Sequence, residues 1–165
     1  MQQAFPFNTL IIIAHTTWPV LHNGSRGCPI AAGTRGAARV AGLDAPQLFD
    51  AVVRKGTDPR VEMYSAFRSP LRDPPLASAV SELGALLRGA AVGRVVVVGL
   101  AGDYCVKCSA IDSAEEGWET FVVEEGTRCV GGEQGWDEAK REMEEKGVRI
   151  VSLEWVNQEI GRAHV

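Results

Sequence analysis

Cys105 has the strongest chemical context in this sequence. It closes the run Val95-Val96-Val97-Val98-Gly99-Leu100-Ala101-Gly102-Asp103-Tyr104-Cys105-Val106-Lys107. Four consecutive valines read as a strand covered on both faces, the pattern of a parallel sheet. A glycine-containing turn then delivers the thiol to the start of a predicted helix, Cys105 to Glu116. A thiol at a helix N-terminus meets unpaired N–H groups and the positive end of the dipole, and both favour the thiolate. The carboxyl end of such a strand is also where open α/β sheets bind ligands. The pattern points to a nucleophile, weighed against the common fate of a free cysteine as a small buried apolar residue.

Cys105 and Cys108 also form a Cys-x-x-Cys pair, which suits a redox site or half of a zinc site. The usual aromatic-Cys-Gly-Pro-Cys turn of a redox site is absent. A second cysteine pair is absent too, since Cys28 and Cys129 each stand alone. Other residues carry no meaning singly. Lys55 would pass as a solvated lysine, Tyr64-Ser65-Ala66-Phe67 as a loop anchored by two aromatics, Trp18-Pro19 as a packed turn, and His22 as a surface histidine.

The elements that must position these residues are regular after Ala77. Ala77 to Arg88 reads as an amphipathic helix with Val80, Leu83, Leu86 and Leu87 on one face. Arg94 to Gly99 is a strand, and Thr120 to Val123 another. Gly135 to Lys146 is a helix, and Val148 to Ser152 a final strand. Strands alternating with helices predict βαβ units and a parallel sheet with right-handed crossovers. Before Ala77, Leu10 to Ala14 is a strand candidate, Gln47 to Val53 a short helix or strand, and Trp18 to Gly42 a long loop rich in glycine, proline and small residues.

A chain of 165 residues suits one domain. The net charge of −4 conceals an asymmetry. Residues 1–94 carry ten Lys/Arg against six Asp/Glu, whereas residues 95–165 carry seven against fifteen. No basic stripe is interleaved with aromatics, which argues against nucleic acid as a partner. The apolar run at Leu10 to Ala14 is too short to span a membrane and follows no basic segment, so a cytoplasmic or nuclear location is the default. In such a compartment the four cysteines would stay reduced.

Taken together, the motifs resemble the nicotinamidases within the isochorismatase-like cysteine hydrolases. Trp18-Pro19-Val20 is similar to their Trp-Pro-x-His-Cys segment, and Gly33-Thr34-Arg35-Gly36-Ala37 to their Gly-Thr-Pro-Gly-Ala. Val53-Arg54-Lys55-Gly56 followed by Met63-Tyr64-Ser65-Ala66-Phe67 resembles their lysine loop and Tyr-Ser-x-Phe element. Gly99 to Lys107 resembles their nucleophile segment, with Gly102 where Thr is common. The resemblance runs from about Trp18 to Ser152. It implies a three-layer α/β/α fold with a mostly parallel sheet, here N-terminally incomplete, in a single domain over 1–165 (irregular over 1–42, with a well-matched core over 43–153).

The same resemblance implies hydrolysis of nicotinamide, or a similar small amide, to the acid and ammonia through a cysteine thioester. Cys105 would be the nucleophile and Lys55 the cation that favours its thiolate. The backbone N–H groups of Ala101 and Cys105 would form the oxyanion hole, where each donor typically contributes about 3 kcal/mol. A cis peptide would lie at Leu100–Ala101. Trp18, Tyr64 and Leu100 would line the substrate site, and the family implies a divalent metal such as zinc.

Two departures follow. The family's general base is an aspartate ending the first strand, but no Asp or Glu precedes Asp44. If Thr9 to Ala14 is that first strand, Ala14 takes the aspartate's place; if it is the second strand, the first is missing. The family's Asp-x-His metal loop has no match, and His22 alone would bind a metal weakly, so loss of the metal is the expectation. The readings are therefore an impaired nicotinamidase-like hydrolase, a non-catalytic truncated form or pseudoenzyme of the family, and a Cys-x-x-Cys redox or zinc protein. A missing strand would also leave sheet-edge groups unpaired and predicts homo-oligomerisation.

Overall fold

The computed structural model of the protein describes residues 9–14, 50–56, 61–71, 73, 74 and 81–162. The chain order is β1 (Thr9–Ala14), α1 (Leu83–Gly89), β2 (Arg94–Leu100), a π-turn (Gly102–Val106), α2 (Lys107–Glu115), β3 (Glu119–Arg128), α3 (Gly132–Glu145), β4 (Arg149–Val151) and α4 (Leu153–Arg162). The four strands form one sheet in the order β1-β2-β3-β4, with every neighbouring pair parallel. The parallel α/β architecture expected from the alternating pattern is present.

The valine run explains why the sheet is covered twice. Val95 and Val97 point to one face and Val96 to the other, as the two-residue period of a strand requires, and all three are buried. On the first face, Val95, Val97 and Val122 pack with Leu83 and Leu87 of α1, Val106 and Ala110 beside the π-turn and in α2, and Ala139 and Met143 of α3. On the other, Val96, Phe121 and Val123 pack with Val156 of α4, and Phe121 stacks on Trp155 with ring centroids 4.6 Å apart. Helices therefore sandwich the sheet, giving the three layers expected.

Local boundaries differ from the sequence expectation for identifiable reasons. The helix after the valine strand does not begin at Cys105. Val106 N–H donates to the Ala101 carbonyl across five residues at 3.1 Å, so the first turn is a wide π-turn, and α-helix starts only at Lys107. β3 extends past Val123 to Arg128 because its far end pairs again with Gly99 and Leu100 after a register shift. α3 begins three residues before Gly135. α4 was not foreseen: the predicted elements end with the strand Val148 to Ser152, and no element was assigned beyond it. Residues 50–53 form neither helix nor strand. The long loop with Trp18, His22 and Gly33 to Ala37 lies outside the described residues, as do residues 77–80 of the predicted first helix.

Among the described residues no helix is long and apolar enough to cross a membrane.

Candidate active site

β2 ends at Leu100, the Leu100–Ala101 peptide is cis as anticipated, and the π-turn follows at once. Inside that turn Cys105 is fully buried. The Ala101 carbonyl accepts hydrogen bonds from the N–H groups of both Tyr104 and Val106, each at 3.1 Å. These bonds wrap the turn around the thiol, and the Ala101 backbone also hydrogen-bonds with the Cys105 sulfur.

Lys55 comes from fifty residues upstream and places its Nζ 3.4 Å from Cys105 Sγ. The same ammonium donates to the Met63 carbonyl at 2.7 Å. Met63 belongs to the segment 61–68, which is tied down at several points. Ala66 N–H donates to Ser109 Oγ at 2.9 Å, and the Ala66 carbonyl accepts from Ser81 Oγ at 2.5 Å. Ser65 Oγ accepts from Phe67 N–H, and Phe67 is buried against Trp118. Arg68 reaches Asp112 at 3.3 Å and Glu115 at 3.1 Å, both on α2. The lysine is thus fixed against the same helix that continues from the cysteine.

The electrostatics of the thiol oppose one another. Burial pushes the Cys105 thiol above its ordinary pKa. Lys55 pulls it back through its charge and its hydrogen bond, Ala101 assists, and the charge of Glu62 pushes up again. Burial prevails. The favoured thiolate expected from a helix N-terminus is therefore corrected: Cys105 sits within a dry π-turn, where removal of water outweighs the dipole.

Tyr64 lies beside Tyr104 with ring centroids 5.6 Å apart. Burial and a hydrogen bond with Glu62 raise its phenol to about 12, so the hydroxyl stays neutral and able to donate. Leu100 is half exposed at the end of β2, and Tyr104 is also exposed. Asp103 points the other way, accepting from the N–H groups of Val130 and Gly131 at 3.0 and 2.8 Å and joining the π-turn to the start of α3.

The structure therefore brings together Cys105, Lys55 and Ala101, with Leu100 joined to Ala101 by the cis peptide and Tyr64 beside Tyr104 of the π-turn. Trp18 and His22 lie outside the described residues. Ser109 and the Met63 carbonyl were not foreseen. Ser109 carried a signal, since it stands one helical turn beyond Cys105 on the same face; a backbone carbonyl leaves none. Among the described residues no group of three or more His, Cys, Asp or Glu could hold a metal ion, and the one metal candidate, His22, lies outside them. Cys105, Cys108 and Cys129 are free thiols.

Residues 13–154 match the isochorismatase domain. A nicotinamidase of Escherichia coli is 34% identical over 104 residues, which are 62% of this chain and 46% of that protein. PnC1 from L. infantum, solved in complex with nicotinate, is 31% identical with a TM-score of 0.65, over 74% of this chain and 58% of that one. The pyrazinamidase of Pyrococcus horikoshii, solved in complex with zinc, is 31% identical with a TM-score of 0.59, over 73% of this chain and 59% of that one. The chain spans about half the length of the curated relatives it matches.

Proposed function

The chain belongs to the isochorismatase domain family, and on that footing we propose that it is a nicotinamidase-type cysteine hydrolase of reduced turnover, acting on a small aromatic carboxamide. The observation that carries this reading is the 3.4 Å approach of Lys55 Nζ to Cys105 Sγ at the end of β2. Relatives that are nicotinamidases, and a structural neighbour holding nicotinate, support the choice of substrate.

In this reading Cys105 Sγ attacks the carboxamide carbon. The carbonyl oxygen takes up charge against the N–H groups of Ala101 and Cys105, acting as an oxyanion hole. The C–N bond breaks, ammonia leaves with the thiol proton, and water then hydrolyses the thioester to the acid. Lys55 lowers the cost of the thiolate. Leu100 and Tyr64 flank the ring. No step is assigned to a metal.

The reduced rate follows from the proton path. β1 lies directly against β2 with Ala14 paired to Gly99, and an alanine there offers no carboxylate to take the proton of a thiol that burial keeps protonated. Loss of a positioned base costs roughly a hundredfold to ten-thousandfold. The same two observations favour a second reading, a pseudoenzyme that binds the amide without turning it over.

Ammonia release from nicotinamide separates them. Slow turnover that vanishes in Cys105→Ser is the expected result. Turnover that survives that substitution overturns the assignment of the nucleophile. Absence of turnover with retained nicotinamide binding, read by calorimetry, overturns the enzyme and leaves the pseudoenzyme.

A further inference from the structure

The hydrolytic reading makes no use of Cys108. Cys108 is half-buried at the start of α2, whereas Cys105 is sealed within the π-turn. Cys105 lies in the π-turn, but the two residues that link it to Cys108, Val106 and Lys107, both have α-type backbone angles, which sets Cα atoms three residues apart at about 5 Å. That separation falls within the span a disulfide bridges, roughly 4.4–6.8 Å. Cys105 meets Lys55, and Ser109, the next residue after Cys108, accepts from Ala66 in the segment that holds Lys55. Burial raises both thiols, and the positive charge of Lys55 offsets part of that rise at each. Cys129 is turned elsewhere: its sulfur packs at Gly102, on the side of the π-turn that carries Asp103.

We propose that Cys105 and Cys108 form a reversible disulfide that switches the thiol site off, with Cys108 as the sulfur that meets the oxidant. The oxidant is a peroxide. Cys108 Sγ attacks one peroxide oxygen, the O–O bond breaks, and Cys108 becomes a sulfenic acid as the first water leaves. Cys105 Sγ then attacks Cys108 Sγ, the S–O bond breaks, and a second water leaves with the Cys105 proton. Two thiols are oxidised and one peroxide is reduced. A dithiol reductant reverses the bond by exchange. The link itself does not depend on the hydrolytic reading, but its effect on turnover rests on that reading.

The test treats the full chain with hydrogen peroxide and reads intact mass, peptide links and nicotinamide hydrolysis together. Trypsin cuts after Lys107, between the two cysteines, so the disulfide appears as two peptides joined until dithiothreitol is added. The expected result is a mass lower by two hydrogens, a Cys105–Cys108 link, and hydrolysis that falls with the link and returns on reduction. In Cys108→Ser, and equally in Cys108→Ala, oxidation of the buried Cys105 should slow by about tenfold or more. Links through Cys28 or Cys129 instead, or equally fast oxidation of Cys105 in both variants, would overturn the proposal. A link that forms in a chain without hydrolytic activity upholds the disulfide and removes the hydrolase reading. Hydrolysis in a chain that forms no link does the reverse.

Discussion

Ser109 accepts the Ala66 N–H at 2.9 Å, one helical turn beyond Cys105. This bond closes a circuit from Cys105 through Lys55 and Met63 to Ala66 and back along α2. Ser109 is therefore a positioning residue for the lysine. Ser109→Ala should leave the Ala66 N–H without its acceptor, at a cost of about 1–3 kcal/mol, and should loosen Lys55. Its signature is a slower reaction of Cys105 with iodoacetamide and a pH profile displaced upward, both recovered in Ser109→Thr. An unchanged profile in Ser109→Ala would show that the circuit does not hold the lysine.

The pH dependence of that alkylation should report the opposing charges directly. Burial holds the wild-type thiol above its ordinary pKa, so the rate should still be climbing where a free cysteine has levelled off. Lys55 favours the anion, and Lys55→Met should move the profile further up. Glu62 disfavours the anion, and Glu62→Gln should move it down. Shifts in one common direction for the two variants would contradict this account of the thiol.

Gly102 departs from the threonine common in the family resemblance, and the structure supplies a reason. A Cβ at this position would lie 2.5 Å from Cys129 Sγ and 2.8 Å from Thr127 Cγ2. Gly102→Thr should therefore lower thermal stability, by about 1–3 kcal/mol for an overpacked buried site. Cys129→Ala removes the closer of the two clashing atoms. The double variant should recover part of the loss, and strict additivity of the two changes in melting temperature would argue against the pair having exchanged volume.

That exchange illustrates what could be read from the sequence and what could not. The valine run encodes its strand locally, and the strand is found where its pattern places it. The pairing of Lys55 with Cys105 was legible only through resemblance, because nothing in the chain between them encodes a contact. The raised thiol pKa was not legible at all. The dipole argument used local sequence, whereas the burial that prevails comes from the neighbours packed around the turn. Likewise, Cys129 seemed to stand alone until the fold set it against Gly102.

The missing proton acceptor gives the most demanding prediction. β1 runs parallel to β2 in unbroken register from Thr9 with Arg94 to Ala14 with Gly99. Adjacent strands lie about 4.8 Å apart, so the carboxyl end of β1 stops beside the turn that holds Cys105. A carboxylate introduced there as Ala14→Asp would supply the base that the proposed mechanism lacks. Nicotinamide turnover should rise by about a hundredfold or more, the usual contribution of positioned general-base catalysis. Ala14→Asn, of similar size but without the charge, should not reproduce the gain. The gain should also disappear in Ala14→Asp combined with Cys105→Ser. Equal rates in Ala14→Asp and Ala14→Asn would mean that the end of β1 is not where the thiol's proton goes, and would overturn the proposed link between the alanine at this position and reduced turnover.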